Sequence, residues 1–444
     1  MNDTKKDQVQ LQRSLGLFSS LALVIGTVIG SGIFFKQASV LEYSHSTTMA
    51  LLAWFIGGVI TLTSGLTIAE IGAQMPHTGG LYIYMEKIYG KLWGFLSGWM
   101  QIIIYGPAMI AALSAYLSVL LLAFFGLPQS YATPLAILSI TFVAIFNLLS
   151  NRYGAVFQIV TTICKFVPII AIIILGLFFG DHNALGQVAS SNTGFTGSNF
   201  GVAVLATLFA YDGWILIANM GGEIKNPQKM LPLAITLGIG LVLIAYMLVT
   251  LGIFRVMPAA MIQHYGEDAT PHFATMAFGV LGGKLLNIGI IISIIGCMNG
   301  KIMTFPRIMY AMAHNDELLF SKQLSYLNKK MHTPMVSTTV ICLIAMLMVV
   351  TVNADRLTEI CIFTVYVFYV MAFFGLFKLR HKNPDLLRPF NVPLYPITPI
   401  VAILGASFVL VSELMSDIKG VLISFIFIAI GIPVYYYKLH KRKS

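Results

Sequence analysis

The stretch Val24–Phe35 reads VIGTVIGSGIFF, and the stretch Thr207–Glu223 reads TLFAYDGWILIANMGGE. Both are apolar enough to enter a bilayer, but neither has the composition of a continuous helix. Three glycines crowd the middle of the first stretch, and each costs a helix about 1 kcal/mol relative to alanine. Asp212 lies near the middle of the second stretch, where an acidic side chain costs about 2.5 to 3.5 kcal/mol on insertion scales. The sequence therefore predicts one broken helix near Gly30 and another near Asp212.

The composition of the whole chain is that of a membrane protein. Of its 444 residues, 57% are hydrophobic and 10% are charged, whereas soluble domains carry about 25% charged residues. A helical crossing takes about 20 residues, so the chain has room for about a dozen crossings and for no large soluble domain. We predict an all-α polytopic fold with twelve transmembrane segments, at Leu17–Val40, Met49–Gly72, Leu92–Phe125, Thr133–Leu149, Ala155–Gly180, Phe200–Gly222, Leu231–Met257, Phe273–Met312, Val336–Val352, Leu357–Phe377, Ile397–Leu414 and Val421–Tyr437.

The basic residues predict the orientation of these segments. If the N-terminus is cytoplasmic, most of the 27 lysines and arginines, Lys301 among them, fall in loops or helix ends on the cytoplasmic side. Few fall on the outer side, and Lys165 falls in mid-membrane. This bias favours a multi-pass plasma-membrane protein with both termini in the cytoplasm. The outer basic residues are Lys36, Arg255, Lys284, Arg356 and Lys419.

The positions of the two breaks predict the internal organisation. The link after the sixth segment, Glu223–Met230, is too short to divide the chain into two halves of six, and the longest cytoplasmic connection follows the eighth segment. Five plus five plus two fits better, because the breaks then open two inverted repeats. The predicted parts are a five-helix repeat over 15–180, a second inverted repeat over 199–380, two peripheral helices over 395–438, and cytoplasmic tails over 1–14 and 439–444.

A broken membrane helix exposes backbone groups that can bind a ligand. The N–H groups that start a new half-helix carry the positive end of its dipole and suit a carboxylate, and the carbonyls that end the preceding half accept from an ammonium. A free α-amino acid carries both charges. Such backbone is tolerated at membrane depth only where it is buried or lines a cavity. The alternative interpretation is that the glycines serve close helix packing, as in GxxxG motifs.

Several longer motifs resemble a known family. VIGTVIGSGIF, then IAEIGAQMPHTGGLYIYMEKIYG at Ile68–Gly90, FAYDGW followed by GGEIKNPQKMLP, and FPRIMYAMAHNDELL together resemble the amino acid–polyamine–organocation superfamily. The similarity is closest to its L-amino acid transporter branch and that branch's bacterial serine and threonine exchangers, and it extends from about Leu15 to the C-terminus. The resemblance implies a LeuT-like fold in which two inverted five-helix repeats, with helices 1 and 6 unwound, are followed by two peripheral helices.

The resemblance also implies positions for the substrate. Backbone N–H groups of Gly30, Ser31 and Gly32 would hold its carboxylate, the ring of Phe209 would be the outer lid, and the ammonium would meet carbonyls of Val28, Phe209 and Asp212. Related animal exchangers carry glycine where this chain has Asp212. That difference leaves open whether the carboxylate touches substrate, binds a proton or caps the broken helix.

Lys165 is the other charge predicted at membrane depth. It follows Gly154 by eleven residues, which is about 16 Å along a helix and near the bilayer centre, so it needs a partner. In related transporters a lysine at this place resembles a substitute for a sodium ion, and its implied partners here are Gly26 and Ser293. Sodium dependence is then not expected, whereas substrate exchange is; the lysine could instead carry a proton. The alternative is a structural pair between Lys165 and Asp212 with no role in transport.

The remaining polar and aromatic residues give a few further candidates for the pocket and the gate. Tyr105, Cys297 and Asn299 are candidates to line the substrate side-chain pocket, and Trp214 is close enough to Asp212 to affect gating. The four cysteines have no CxxC spacing, the histidines no HExxH or HxxxH pattern, and there is no GxxxxGK[ST] motif, so we expect neither a metal or other cofactor, nor an enzyme active site, nor a nucleotide-driven motor. The net charge of +10 reflects topology rather than nucleic-acid binding.

The predicted function is therefore that of a secondary transporter. The resemblance implies sodium-independent exchange of small neutral L-amino acids (serine, threonine, alanine and cysteine) across the plasma membrane by alternating access. The alternative on the same fold is a proton-coupled amino acid uniporter or symporter. A channel would need an open pore lined by repeated polar residues, which the sequence does not show.

Overall fold

The computed structural model describes residues 13–149, 151–188, 197–328, 333–351, 354–384 and 387–443. The predicted tail 1–14 lies almost wholly outside these residues. The described chain is helical, apart from isolated bridges such as Leu15 with Ile224 and Thr78 with Met220. The α-helices are α1 Leu17–Val28, α2 Gly32–Phe35, α3 Gln37–Ser44, α4 Thr47–Gln74, α5 Leu81–Tyr89, α6 Lys91–Met100, α7 Gly106–Phe125, α8 Ala132–Leu149, α9 Asn151–Phe179, α10 Gly197–Ala210, α11 Pro227–Val256, α12 Ala259–Tyr265, α13 Ala269–His314, α14 Ser321–Leu324, α15 Met335–Thr351, α16 Ala354–Lys382, α17 Ile397–Ser416 and α18 Ile418–Lys443.

Short turns of other helix types join some of these elements. A π-helical turn, Gln101–Tyr105, makes α6 and α7 one continuous run, and α13 is kinked at Gly279, where φ is 69°. The 3₁₀ segments are Gln129–Tyr131, Trp214–Asn219, Gly221–Glu223 and Gly266–Asp268.

Ten helical runs of the described residues are long and apolar enough to cross a membrane, and two shorter apolar helices, Asn199–Ala210 and Met335–Thr351, stand at the sixth and ninth predicted segments. The chain is thus a polytopic helical membrane protein. The sixth segment is short because its helix stops at the break, after which the chain continues as a 3₁₀ helix.

The first segment breaks where its glycines and serine meet. Helix α1 ends at Val28, the backbone at Ile29 is extended with φ −71° and ψ 101°, and the four-residue α2 begins at Gly32. The sixth segment breaks at Tyr211–Gly213, where Gly213 has a φ of 114° that L side chains rarely adopt. A new α half-helix was expected after this break, but the structure has the tighter 3₁₀ turn Trp214–Asn219.

The first and last described residues of the chain lie at the same end of the helix bundle, and this distinguishes its two ends. Near the start of α1, the N–H of Leu15 donates to the carbonyl of Glu223 at 3.0 Å. Near the end of α18, Lys438 pairs with Asp316 at 2.8 Å, just beyond α13. We call this end the terminal face and the opposite end the far face. The breaks of α1 and of the sixth segment lie between the two faces, against α9, α11 and α13.

Candidate functional site

The two breaks contact each other directly. The hydroxyl of Thr27 donates to the carbonyl of Gly213 at 3.1 Å. A Cβ added at Gly213 would lie 2.5 Å from the carbonyl oxygen of Thr27, and one added at Gly32 would lie 2.4 Å from the Cα of Ala210. Both glycines therefore permit close backbone approach as well as the break, so the packing and site interpretations of the glycines are compatible.

A small cavity lies where the breaks meet. A water-sized sphere can move its centre through only about 10 Å³ of it, which is about the room that one water molecule needs. Both breaks contribute to its wall, together with α7 and α13, and the lining residues are Thr27, Val28, Gly30, Ser31, Gly32, Met109, Leu113, Phe209, Asp212, Cys297 and Lys301. The cavity must expand before it can hold an amino acid.

The wall formed by the first break carries polar groups that are not fully used. The hydroxyl of Ser31 is buried and has no hydrogen-bond partner among the described residues. The first N–H groups of α2, which begins at Gly32, have no acceptor within their own helix. Hydrogen-bond acceptors lie close to these donors. The carbonyls of Val28 and Ala210, one from each broken segment, both accept from the hydroxyl of Tyr246, at 3.3 and 3.0 Å. The two breaks together thus bring donors and acceptors close to one another.

Lys165 lies behind the first break. Its Nζ donates to the carbonyls of Gly26 at 2.8 Å and Ile29 at 2.6 Å, and the hydroxyl of Ser293 donates to the same Ile29 carbonyl at 3.4 Å. The ammonium therefore bridges the last turn of α1 and the extended residue that follows it. The alternative pair between Lys165 and Asp212 is not present.

Asp212 pairs with a residue that the sequence analysis placed wrongly. Its carboxylate accepts from Lys301 Nζ at 2.7 Å and from the hydroxyl of Tyr105, and all three side chains are buried. Lys301 was counted among the cytoplasmic basic residues, whereas it lines the cavity from α13. Residues four apart share one face of a helix, so the prediction that Cys297 lines the pocket could also have placed Lys301 there.

Other candidate residues lie away from the cavity wall. Tyr105 reaches it only through Asp212. The amide of Asn299 donates to the Gly154 carbonyl at 3.2 Å and to Gln158 at 2.7 Å, between α13 and α9. Trp214 points toward α16, where its ring centroid lies 5.4 Å from that of Tyr369. Gly26 and Ser293 contact the break from behind.

Both routes from the cavity are closed. On the far side, the ring centroid of Phe209 lies 6.4 Å from that of Tyr116, which lies 5.1 Å from that of Phe35. On the terminal side, Arg307 and Glu223 form a buried pair at 3.1 Å. Next to that pair, the N–H of Gly79, in the PxxGG loop before α5, donates to the carbonyl of Asn219 at 3.0 Å. The structure therefore has an occluded form of the cavity.

Several known proteins are similar in sequence to this chain over most of its length. The chain is 46% identical over 434 residues to the serine/threonine exchanger SteT of Bacillus subtilis (strain 168), and the match covers 98% of each chain. It is 30% identical over 442 residues to the cystine/glutamate transporter of Homo sapiens, covering 97% of this chain and 86% of that protein. It is 31% identical over 430 residues to the b(0,+)-type amino acid transporter 1 of Mus musculus, covering 94% and 85%. The family profile described as amino acid permease matches residues 15–434, and the chain therefore belongs to this family of the amino acid–polyamine–organocation superfamily.

Proposed function

We propose that the protein exchanges small neutral L-amino acids, with serine, threonine, alanine and cysteine as substrates, by alternating access across the plasma membrane. The observation that carries this proposal is a cavity lined by both helix breaks, which offers to a zwitterion backbone acceptors and the Ser31 hydroxyl, a donor without a partner among the described residues. The 46% identity to a serine/threonine exchanger supports the substrate class. The basic residues of the sequence support cytoplasmic termini, so the far face is the outer side.

The substrate carboxylate is proposed to bind at the first break. The N–H groups of Gly30, Ser31 and Gly32 point from the start of α2, whose dipole favours a negative charge. The hydroxyl of Ser31 adds a fourth donor that has no partner of its own among the described residues. The ammonium is proposed to meet the carbonyls of Val28 and Phe209 and the backbone of Asp212, on the acceptor side of the same cavity.

The substrate side chain would then point toward α7 and α13. Met109, Leu113 and Cys297 form the apolar part of that wall, and the Lys301–Asp212 pair forms the polar part. A hydroxyl or thiol can contact this ion pair without adding charge to the site. The cavity must already expand to hold a small amino acid, and a larger side chain would require a larger displacement of its wall, which supports small substrates.

Sodium independence is proposed from the position of Lys165. Its ammonium already donates to two carbonyls at the unwound end of α1. A sodium ion would need oxygen ligands of the same kind, so the fixed cation of the lysine takes that role. The two halves of the break are then held together whether or not sodium is present.

The transport proposal is tested with purified protein in liposomes. Radiolabelled serine is added outside, and the liposomes contain either unlabelled serine or buffer. We expect rapid uptake only into the loaded liposomes, with no change when sodium or a pH gradient is added. Equal uptake into empty liposomes would exclude obligatory exchange, and stimulation by an inward proton gradient would favour the proton-coupled alternative, for which the buried Asp212–Lys301 pair is the candidate group.

The proposed carboxylate site has a matched test within the same segment. Ser31→Ala removes the unpartnered hydroxyl from the cavity wall, and the loss of one hydrogen bond to a charged group should raise the KM for serine about tenfold or more. Ser20→Ala is the control, because the Ser20 hydroxyl is also buried and unpartnered among the described residues but lies outside the cavity. Equal KM values for the two variants would exclude Ser31 from the site.

A further inference from the structure

Lys36 is a buried lysine at the far end of the cavity. It follows α2 directly and precedes α3, and only 8% of it is exposed. The charge distribution of the sequence marks Lys36 simply as a basic residue on the outer side. A lysine buried at this depth needs groups that compensate its charge.

Two aromatic rings provide part of that compensation. The Nζ of Lys36 lies 5.6 Å from the ring centroid of Phe209 and 5.8 Å from that of Tyr116. Each such cation–π contact changes an equilibrium by roughly two- to thirtyfold, depending on how dry the site is. Phe209 also lines the cavity, so the ammonium holds the ring that closes the far side.

Neighbouring elements fix the backbone around Lys36. The hydroxyl of Thr270 donates to the carbonyl of Phe34 at 2.6 Å, and the amide of Gln37 donates to Thr250 at 3.1 Å. The acidic 3₁₀ turn Gly266–Asp268 also packs against α2 and α3, so negative charge lies beside this segment. Because the backbone is held independently, the side chain of Lys36 can change its contacts without displacing α2.

We propose that Lys36 is the latch of the far gate and also the first contact for the incoming substrate. In the closed form its ammonium holds the rings of Phe209 and Tyr116 over the cavity. When the rings separate to admit a substrate, the ammonium loses these contacts and faces the open vestibule, where it attracts the substrate carboxylate. This role rests on the proposed exchange function, since it assigns the outer step of that cycle to one residue.

The proposal predicts a change on one side of the membrane only. Lys36→Met keeps the length and the apolar stem but removes the charge, so it should raise the external KM for serine about tenfold and leave the internal KM within about twofold. Lys284→Met is the control, because Lys284 is an exposed lysine toward the same face. Lys36→Arg keeps the charge and the ring contacts and should stay within about threefold of the wild type.

A second measurement follows the gate without requiring transport. Cys297 lines the cavity, so in a variant whose other three cysteines are replaced, a membrane-impermeant thiol reagent added outside reports how often the far gate opens. Lys36→Met should speed this labelling about tenfold, and so should Tyr116→Leu. The double variant should speed labelling by less than the product of the two single effects, because the contact between Lys36 and Tyr116 is lost in both single variants.

The two readouts separate the possible failures. If wild-type protein fails to exchange serine but Lys36→Met still labels faster, the proposed function is wrong and the latch remains. Unchanged labelling and an unchanged external KM in Lys36→Met would overturn the latch. Additive effects of Lys36→Met and Tyr116→Leu on the free energy of gate opening would also overturn it. If the methionine variant does not fold, a Lys36→Arg variant whose external KM rises about tenfold over the wild type would overturn it as well.

Discussion

Replacing Gly213 by alanine tests whether the sixth segment is broken at this residue or is an ordinary continuous helix. Gly213 has a φ of 114°, and an added Cβ would lie 2.5 Å from the oxygen and 2.8 Å from the carbonyl carbon of Thr27. The backbone conformation alone costs a non-glycine residue about 1 to 3 kcal/mol. The clash is with backbone of the other break, which cannot rotate away, and overpacking of this kind costs about 1 to 3 kcal/mol more.

The two costs together amount to about 2 to 6 kcal/mol. Since about 1.4 kcal/mol is a factor of ten in an equilibrium, the population with the two breaks in contact should fall by about thirtyfold or more. We expect Gly213→Ala to lose most serine exchange in proteoliposomes and to melt at a lower temperature in detergent than the wild type.

Gly240→Ala is the matched control for this experiment. Gly240 lies inside α11, has no positive φ, and has nothing within 4 Å of an added Cβ. Alanine there should raise helix stability by up to about 1 kcal/mol and leave exchange unchanged. Wild-type exchange and melting in Gly213→Ala would refute the close contact of the two breaks.

Three further predictions follow from individual contacts. Lys165→Met removes two charge-assisted bonds, worth about 1.5 to 3 kcal/mol each, so exchange should fall about a hundredfold at normal expression; normal turnover would make the lysine structural only. Glu70→Gln disrupts a buried carboxylate that binds Arg380 at 2.6 Å and Val392 N–H at 2.7 Å, and should cost about 3 kcal/mol of stability; the melting temperature measures it, and exposed Glu42→Gln is the control. The hydrogen bond from Arg356 lowers the pKa of the Asp417 carboxyl below its usual 3.8. A depressed folded-state pKa gives stability above the unfolded pKa that is lost as pH falls through the folded one, so Asp417→Asn should lower the melting temperature at pH 7, and the difference from the wild type should shrink as pH falls below 3.8.

The breaks could be predicted because their cause is local. Glycine lowers helix stability wherever it stands, and Asp212 at membrane depth demands a partner whatever the surrounding helices do. The same reasoning placed Lys165 at the bilayer centre from helix length alone. These features needed no knowledge of which helices are neighbours.

Lys301 shows where that reasoning stops. A charge count along the chain assigns a lysine near a helix end to the loop side, whereas α13 continues to His314, so Lys301 is about 20 Å from the end of the helix. Asn299 shows the opposite error, since it was expected to line the pocket but faces a neighbouring helix. It is two residues from Lys301, but two residues along a helix turn a side chain to another face, so Asn299 faces Gln158 and α9 while Lys301 faces Asp212.

The charges at the centre of the bundle give a reason why a neutral amino acid suits the site. Lys165 is compensated by two carbonyls and Lys301 by the carboxylate of Asp212. In the proposed binding mode, a zwitterion adds a carboxylate next to α2 and an ammonium next to the opposing carbonyls, so the sum of charges in the cavity would not change on binding. A substrate with a charged side chain would add an uncompensated ion to a space dry enough to hold about one water, and burial of such an ion costs several kcal/mol. The charge balance at the proposed site therefore favours substrates without a net charge.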